Sequence, residues 1–537
     1  MSRTMLPCSL FEDDHLLVVN KPAGWNTHAP APYAVEGIYD WLRHREPRWA
    51  NLAILHRLDK DTSGVLVLGK TRLANQSLTR QFTERRVHKE YRLVTDRPVA
   101  FRELTVRSLL TRSGEVYLPC PAGADADAAV TRFRVVRSAP ERTELLAEPL
   151  TGQTHQIRAH AAWKGFPILG DRLYGGTPTS RGARPGRLWL HAAVLSFRHP
   201  ATGAPMRWEA PVDFEAFHPL DLRRAMLDFA ETDAFRVVHG AADGWPGRYL
   251  DRLGDYWLVQ IDPLRVREAG KESNDTRRPD VRGAHEPGCI PLTRPAAAGH
   301  PLPLRGGEGR GEGDGCMESA AEAWRTELEM LARRAGATGV YEQTLERRLR
   351  GRGTSELSPR RVLGEPAPPA FTVRENGIRF ELALGEGYSI GLFLDQRDNR
   401  RRLRANHIAA DFPVVAGGLA GCEVLNTFAY TCGFSVCAAL AGARTTSVDL
   451  SRKALERGRR NFLANGLTPE AHAFLAGEVF EWLDRFARKQ RRFDVVIIDP
   501  PTFSQSKRRG TFRVERDYEA LVREGLRVLR PGGVLLA

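Results

Sequence analysis

The chain has 537 residues, which at ~150 residues per domain suggests three to four domains rather than one core. Its 79 Lys and Arg against 65 Asp and Glu give a net charge of +14, and the pI near 9.7 favours an acidic partner such as nucleic acid or an anionic membrane surface. A hydrophobic share of 42% with ten Trp and 23 Phe excludes wholesale disorder.

In chain order, residues 10 to about 215 read as a mixed α/β domain. Short strands are expected at Leu16 to Asn20 and Gly64 to Gly69, and a helix at Arg72 to Arg85. Phe214 to Glu231 has helical spacing and reads as a connecting helix, placed at 217–232. A central domain over 233–400 then opens at Phe235. From 262 to 316 the composition turns to Gly, Pro, Arg and Glu without an apolar period, which predicts a disordered insert. The domain resumes with an amphipathic helix at Ala320 to Arg334 and strands at Phe371 to Val373 and Ile378 to Leu384. Over 401–537 the rhythm of strand, turn, helix and strand predicts a doubly wound parallel sheet, with the wholly apolar Val495 to Ile498 as a central strand.

No apolar run approaches the ~18 residues of a membrane span, and Met1 to Leu10 lacks the layout of a secretory signal, so a cytoplasmic location is expected. The seven Cys form no CxxC pair and no Cys/His cluster at zinc spacing, so neither a disulfide framework nor a metal is expected. Only nine of the 79 basic residues are Lys. An Arg excess suits phosphate forks and base stacking, and a GC-rich genome also produces it.

Three segments of the first domain carry chemistry: VVNKPAGW (18–25), HRLDKDTSGVLVLGKT (56–71) and PLTGQTHQIRAHAAWKGFPILGDRLYGG (149–176). With KEYRL (89–93) between them and LHAAVLSFRHP (190–200) after, they resemble the RluA-type pseudouridine synthases over about 200 residues. The resemblance implies a mixed-sheet catalytic domain over 1–216 that isomerises uridine to pseudouridine in ribosomal RNA or tRNA without a cofactor. It makes Asp59 the catalytic carboxylate, with Tyr91 and Arg158 beside it. Arg158 would pair with Asp59, favouring its charged form and fixing its rotamer. Tyr91 would stack on the extracted base and exchange a proton at C5, and Arg57 would contact the phosphate or the flipped nucleotide. His56, His155 and His160 read as structural hydrogen-bonders.

A second group comprises 235–260, EGYSIGLFLDQRDNRRR (386–402), EVLNTFAYTCGFSVCAALAGA (423–443), SVDLSRKALERGRRNFLANG (447–466) and FDVVIIDPPTFSQSKR (493–508). These segments resemble the RlmI/RlmK-type ribosomal RNA methyltransferases and imply S-adenosylmethionine as cofactor and a Rossmann-like domain. On that resemblance Asn426, Phe428, Tyr430, Gly433, Asp449, Glu478 and Asp499 are cofactor-binding candidates, Glu478 standing where the family usually has Asp. Asp449 would accept the ribose hydroxyls, with helix N-terminal charge as its structural alternative. Pro500 and Pro501 would rigidify a substrate loop in which Phe503 stacks on a base. Methylation at cytosine C5 requires a Cys nucleophile, whereas guanine N7 needs only a positioned lone pair. Cys432 reads as a packing residue, and DPPTFSQSKR leans toward guanine N7.

PGGVLLA reads as the fifth strand of a seven-strand sheet, so this domain is expected to lack its last strands and to bind cofactor poorly. The expected protein is therefore a fusion of two RNA enzymes acting on structured RNA, 23S rRNA foremost and tRNA second. No membrane or metal partner is expected, and the oligomeric state is open. The alternative is a ribosome-assembly factor with an inactive second half. A dehydrogenase is disfavoured because there is no G-x-G-x-x-G.

Overall fold

In the N-terminal half, the β-branched and leucine-rich run Leu16–Lys21 and the strand Ser63–Gly69, buried at every position, pair near one end of a mixed sheet of 11 strands. The computed structural model describes residues 6–29, 37–122, 128–179, 186–216, 218–274, 314–345, 354–409, 412–506 and 510–537. Along the main path of the sheet, Ser63–Gly69 is followed by Leu190–Arg198, His88–Thr95, Arg142–Pro149 and Ala129–Ala139. The single parallel step is Leu190–Arg198 on Ser63–Gly69, where His191 and Ala192 meet Ser63 and Gly64. Gly64 has φ +123°, and a Cβ there would lie 2.2 Å from the Ala192 carbonyl oxygen, so only glycine permits this approach. The helix Arg72–Thr83 starts at Thr71, whose hydroxyl accepts the Ala74 N–H at 3.3 Å.

The connecting helix spans His218–Met226 and leads into a five-stranded sheet of Ala234–His239, Arg248–Leu253, Tyr256–Ile261, Gly339–Thr344 and Arg360–Gly364, in that order. Its third and fourth strands are parallel, and the helix Asp314–Arg334 precedes the fourth. Trp324 of that helix seats it by an edge contact with Trp245, ring centroids 4.6 Å apart. The insert expected over 262–316 is narrower than its composition suggested. Pro263–Asn274 is helical and the second helix already starts at Asp314, while 275–313 lie outside the described residues.

The boundary expected at 400/401 falls inside the helix Arg397–Ala405. The hairpin Phe371–Glu375 with Ile378–Leu382, read as central, is bonded to the helix Arg452–Ala464 of the last domain. Asn461 Oδ1 accepts the Glu381 N–H at 2.8 Å, and Arg460 forks onto the Glu381 carboxylate at 2.7 Å for both bonds. One hydrophobic cluster accordingly contains Val373, Phe380, Leu455 and Phe462 together. The last sheet is parallel throughout, in the order Ala473–Ala476, Arg444–Asp449, Glu423–Thr427, Phe493–Ile498 and Leu529–Leu536. Phe493–Ile498 lies inside it, as its unbroken apolar pattern predicts.

The first domain and the C-terminal half touch. Arg401 donates through Nη1 to the Arg45 carbonyl at 2.7 Å and through Nη2 to the His44 carbonyl at 3.4 Å. The Cys8 N–H donates to the Ala225 carbonyl at 3.1 Å, joining the first domain to the connecting helix.

Candidate active sites

In the first domain, Asp59, Tyr91, Arg158 and Arg57 converge on a cleft of about 700 Å³. Asp59 lies in the loop before Ser63–Gly69, anchored on one side by Thr27, whose hydroxyl donates to the Leu58 carbonyl at 2.8 Å. Beneath the loop is Lys21, fully buried, donating to the carbonyls of Pro22 at 2.9 Å, Trp25 at 2.6 Å and Lys60 at 3.1 Å. Burial pulls its ammonium down to about 7, against the raising pull of Asp61 and Asp59. Three carbonyl acceptors match its three protons, so the charged form is the one this pocket satisfies.

The expected Arg158–Asp59 pair exists but is the looser of two. Arg158 Nη1 stands 3.5 Å from Asp59 Oδ2, while its Nε and Nη2 form a fork with Asp171 Oδ2 and Oδ1, both at 2.7 Å. Arg158 is 6% exposed and Asp171 1%, so this is a buried bidentate pair with one remaining edge aimed at Asp59. Burial opposes the charge on Arg158, but its bond to Asp171 outweighs that and holds the guanidinium above its ordinary value. Tyr91, on His88–Thr95, lines the same cleft. Burial first, and the Asp59 charge second, hold its hydroxyl well above the usual phenol range, so it keeps its proton at neutral pH. Arg57 is exposed at the cleft.

The three histidines divide. His56 accepts the Val67 N–H at 3.2 Å and stacks on Phe82, and burial lowers it to about 3. His160 is fully buried between the hydroxyls of Ser108 and Thr131, both at 2.9 Å, and is lowered to about 4. His155 instead faces the cleft, with Nε2 3.8 Å from Asp59 Oδ2 and Nδ1 3.1 Å from the Tyr174 hydroxyl. Its backbone is left-handed, φ 55°, at the start of the helix Gln156–Trp163. Sequence reasoning missed Asp171, Lys21 and the place of His155. The one available signal for Asp171 is that it is the only acid in 149–176.

In the last domain the candidates gather at the carboxyl edge of the parallel sheet, where open α/β sheets bind ligands. The loop after Glu423–Thr427 carries three non-glycine residues with positive φ, Phe428 at 52°, Tyr430 at 49° and Cys432 at 62°. Such a run is strained and requires support. Asp449 supplies some: its Oδ2 accepts the Tyr430 N–H and its Oδ1 the Ser451 N–H, each at 2.8 Å. One bond per oxygen leaves lone pairs for ribose hydroxyls, and burial raises its carboxyl. Gly433 opens the following helix, Gly433–Leu440. These residues fit S-adenosylmethionine: a strained loop at the carboxyl edge of the sheet, beside a carboxylate with acceptor capacity left over.

Other candidates lie differently. Asn426 is 2% exposed and donates to Ser435 Oγ at 2.9 Å, beneath the loop rather than at its surface. Glu478 caps the helix Val479–Arg488, accepting the Glu481 N–H at 3.0 Å. Cys432 packs into the close approach at Gly458, and burial pushes its thiol up to about 12. Asp499 accepts from Gln396 Nε2 at 3.3 Å, and burial, then the charge of Asp395, raises its carboxyl. Pro500 and Pro501 follow it directly. Phe503 opens the hairpin Phe503–Ser506 with Gly510–Arg513, and its side chain lies outside the described residues. Gln396 and Asp395, which reach this site from the helix entry before Arg397, lie in the segment 386–402 that carries the methyltransferase resemblance, but neither was among the site candidates. Among the described residues there is no group of three His, Cys, Asp or Glu that could hold a metal, and no helix long and apolar enough to cross a membrane.

Two family models match the chain: RNA pseudouridylate synthase over residues 15–163 and S-adenosylmethionine-dependent methyltransferase over 319–537. The ribosomal large subunit pseudouridine synthase C of Salmonella typhi is 37% identical over 225 residues, 40% of this chain and 70% of that protein. Its Escherichia coli K12 counterpart is 38% identical over 213 residues, 38% of this chain and 66% of its own length. The solved structure of human RNA pseudouridylate synthase domain containing 1 shares 25% identity, with TM-score 0.32, covering 42% of this chain and 91% of its own.

Proposed function

Because the chain belongs to the RNA pseudouridylate synthase family, we propose that it isomerises uridine in large-subunit ribosomal RNA at Asp59 and that its C-terminal half methylates ribosomal RNA. The first activity rests above all on the arrangement of Asp59 facing Arg158 and His155 in a cleft that Tyr91 lines. Pseudouridine formation breaks the C1'–N1 bond, turns the uracil and rejoins it through C5, which loses its hydrogen as a proton while N1 gains one, with no redox change. The Asp59 carboxylate attacks the sugar or removes a proton from it. Arg158, clamped by Asp171, presents one N–H edge to that carboxylate and limits its rotamers. Tyr91 retains its proton and can deliver or exchange it at the base. Arg57 contacts the phosphate of the extracted nucleotide.

In the second half, S-adenosylmethionine supplies the methyl group when bound. Asp449 would hold its ribose and the 428–433 loop its nucleoside, with Asp499, Pro500 and Pro501 beside the acceptor base. The acceptor is guanine N7 or cytosine C5. Cys432, with its thiol pushed up to about 12, is not a C5 nucleophile. The net charge of +14 suits a phosphate-rich substrate, 23S rRNA before tRNA, met in the cytoplasm.

Mass spectrometry of RNA from cells expressing wild type or Asp59→Asn tests the first activity. A pseudouridine site present with the former and missing with the latter is the expected result, and two identical maps would refute it. Digests of the same RNA after incubation with labelled S-adenosylmethionine identify the methylated nucleoside.

A further inference from the structure

A second cavity, of about 660 Å³, lies where both halves of the chain meet, and its lining is drawn from each. Trp25 comes from the first domain, Arg223 from the connecting helix, Arg236 from the central sheet, and Phe393, Arg397 and Tyr430 from the methyltransferase half. That volume is within the range of small-ligand sites. Phe393 is 51% exposed, unusual for so large an apolar side chain, and its ring centroid is 5.4 Å from that of Tyr430. A cavity lined by aromatic rings from both halves, Trp25 on one and Phe393 and Tyr430 on the other, together with the guanidinium groups of Arg223, Arg236 and Arg397, has the groups that stack a base and hold its phosphate.

The cavity is also connected to both candidate active sites. Lys21 holds the Trp25 carbonyl and the Lys60 carbonyl with the same ammonium, so Trp25 is two hydrogen bonds from the residue after Asp59. On the other side, the Tyr430 N–H is bonded to Asp449, and Gln396, three residues beyond Phe393, is bonded to Asp499. We propose that this cavity binds one nucleotide of a single-stranded RNA segment, stacked against Trp25 from the synthase half and Phe393 from the methyltransferase half. One RNA strand would then be gripped between the two sites. The inference rests on the reading that the chain acts on RNA, and it adds a residue of the first enzyme to the substrate surface of the second.

The test uses the full chain and a fluorescein-labelled single-stranded RNA of roughly 12 nucleotides. Anisotropy should show Trp25→Ala and Phe393→Ala each weakening binding about tenfold, with Trp25→Tyr within about twofold of wild type. Phe393 is exposed, so its variant keeps the fold even if Trp25→Ala does not. Ultraviolet cross-linking followed by peptide mass spectrometry should place a nucleotide on the peptide carrying Trp25 or on that carrying Phe393. Unchanged affinity in Phe393→Ala, or cross-links confined to the Tyr91 cleft, would overturn the proposal while leaving the RNA reading intact. Loss of the Phe393 cross-link on adding S-adenosylhomocysteine would reassign the cavity to the cofactor. Failure of the wild type to bind the RNA at all would overturn the RNA reading itself.

Discussion

Arg158 shows how a carboxylate proposed to be catalytic can be served by a cation it does not own. Two of its donors belong to Asp171 and only the third edge reaches Asp59, so the buried pair acts as a fixed platform. Removing one member of such a pair leaves a buried charge uncompensated, at a cost of ~3–5 kcal/mol. Asp171→Ala is therefore expected to lower the thermal midpoint sharply. Asp171→Asn, closer in shape, is expected to reduce pseudouridine kcat by about 100-fold through misplacement of Arg158, as read by single-turnover assays. His160 makes a separate, pH-dependent contribution. Burial holds it near 4 in the folded chain, whereas an unfolded histidine titrates near ~6.5. Below that value the unfolded chain takes up the proton first, so stability is complete above about 6.5 and is lost as pH falls toward 4, by on the order of 1–2 kcal/mol at pH ~5. His160→Asn should flatten that part of a melting-temperature profile. An unchanged acid slope would show that this imidazole is not the group responsible.

Among the elements, strands and helices with a clean period were legible. Leu16–Lys21, Arg72–Thr83 and Phe493–Ile498 stand within a residue or two of their expected bounds, because apolar alternation or run length identifies them locally. The expected insert was not so legible at its edges. Gly, Glu and Arg-rich composition conceals that Pro263–Asn274 and the start of Asp314–Arg334 are helical, and helix Asp314–Arg334 is secured by a Trp324–Trp245 contact that no local pattern announces. Glu478 illustrates the competition between roles at a helix start. It caps Val479–Arg488, and Glu478→Ala should cost ~1 kcal/mol in thermal or chemical denaturation. Asp449→Ala removes the acceptor of two backbone N–H groups, that of Tyr430 within the strained loop and that of Ser451 at the start of the next helix. Calorimetric titration should find S-adenosylmethionine affinity lowered by at least about tenfold, and equal affinity would assign the ribose contact elsewhere.

For the molecule as a whole, the decisive feature is that the two enzymes are docked rather than merely strung together. Arg401 spans the junction to the Arg45 and His44 carbonyls, and burial beside Arg45 lowers its guanidinium to about 10, still charged at neutral pH. Arg401→Ala should separate the calorimetric unfolding of the two halves into two transitions, because two of the bonds that couple them are lost. From the sequence alone came the chemistry of each half: which carboxylate stands in HRLD, which loop ends in DPP, and the charge that calls for RNA. Those are properties of short segments, where residue type and spacing suffice. Only the tertiary structure decided that Arg158 answers first to Asp171, that His155 faces Asp59 while His160 is sealed in the core, and that Trp25 and Phe393 line one cavity. Each of these joins residues from separate segments whose meeting is determined by strand order and close packing, which no local pattern encodes.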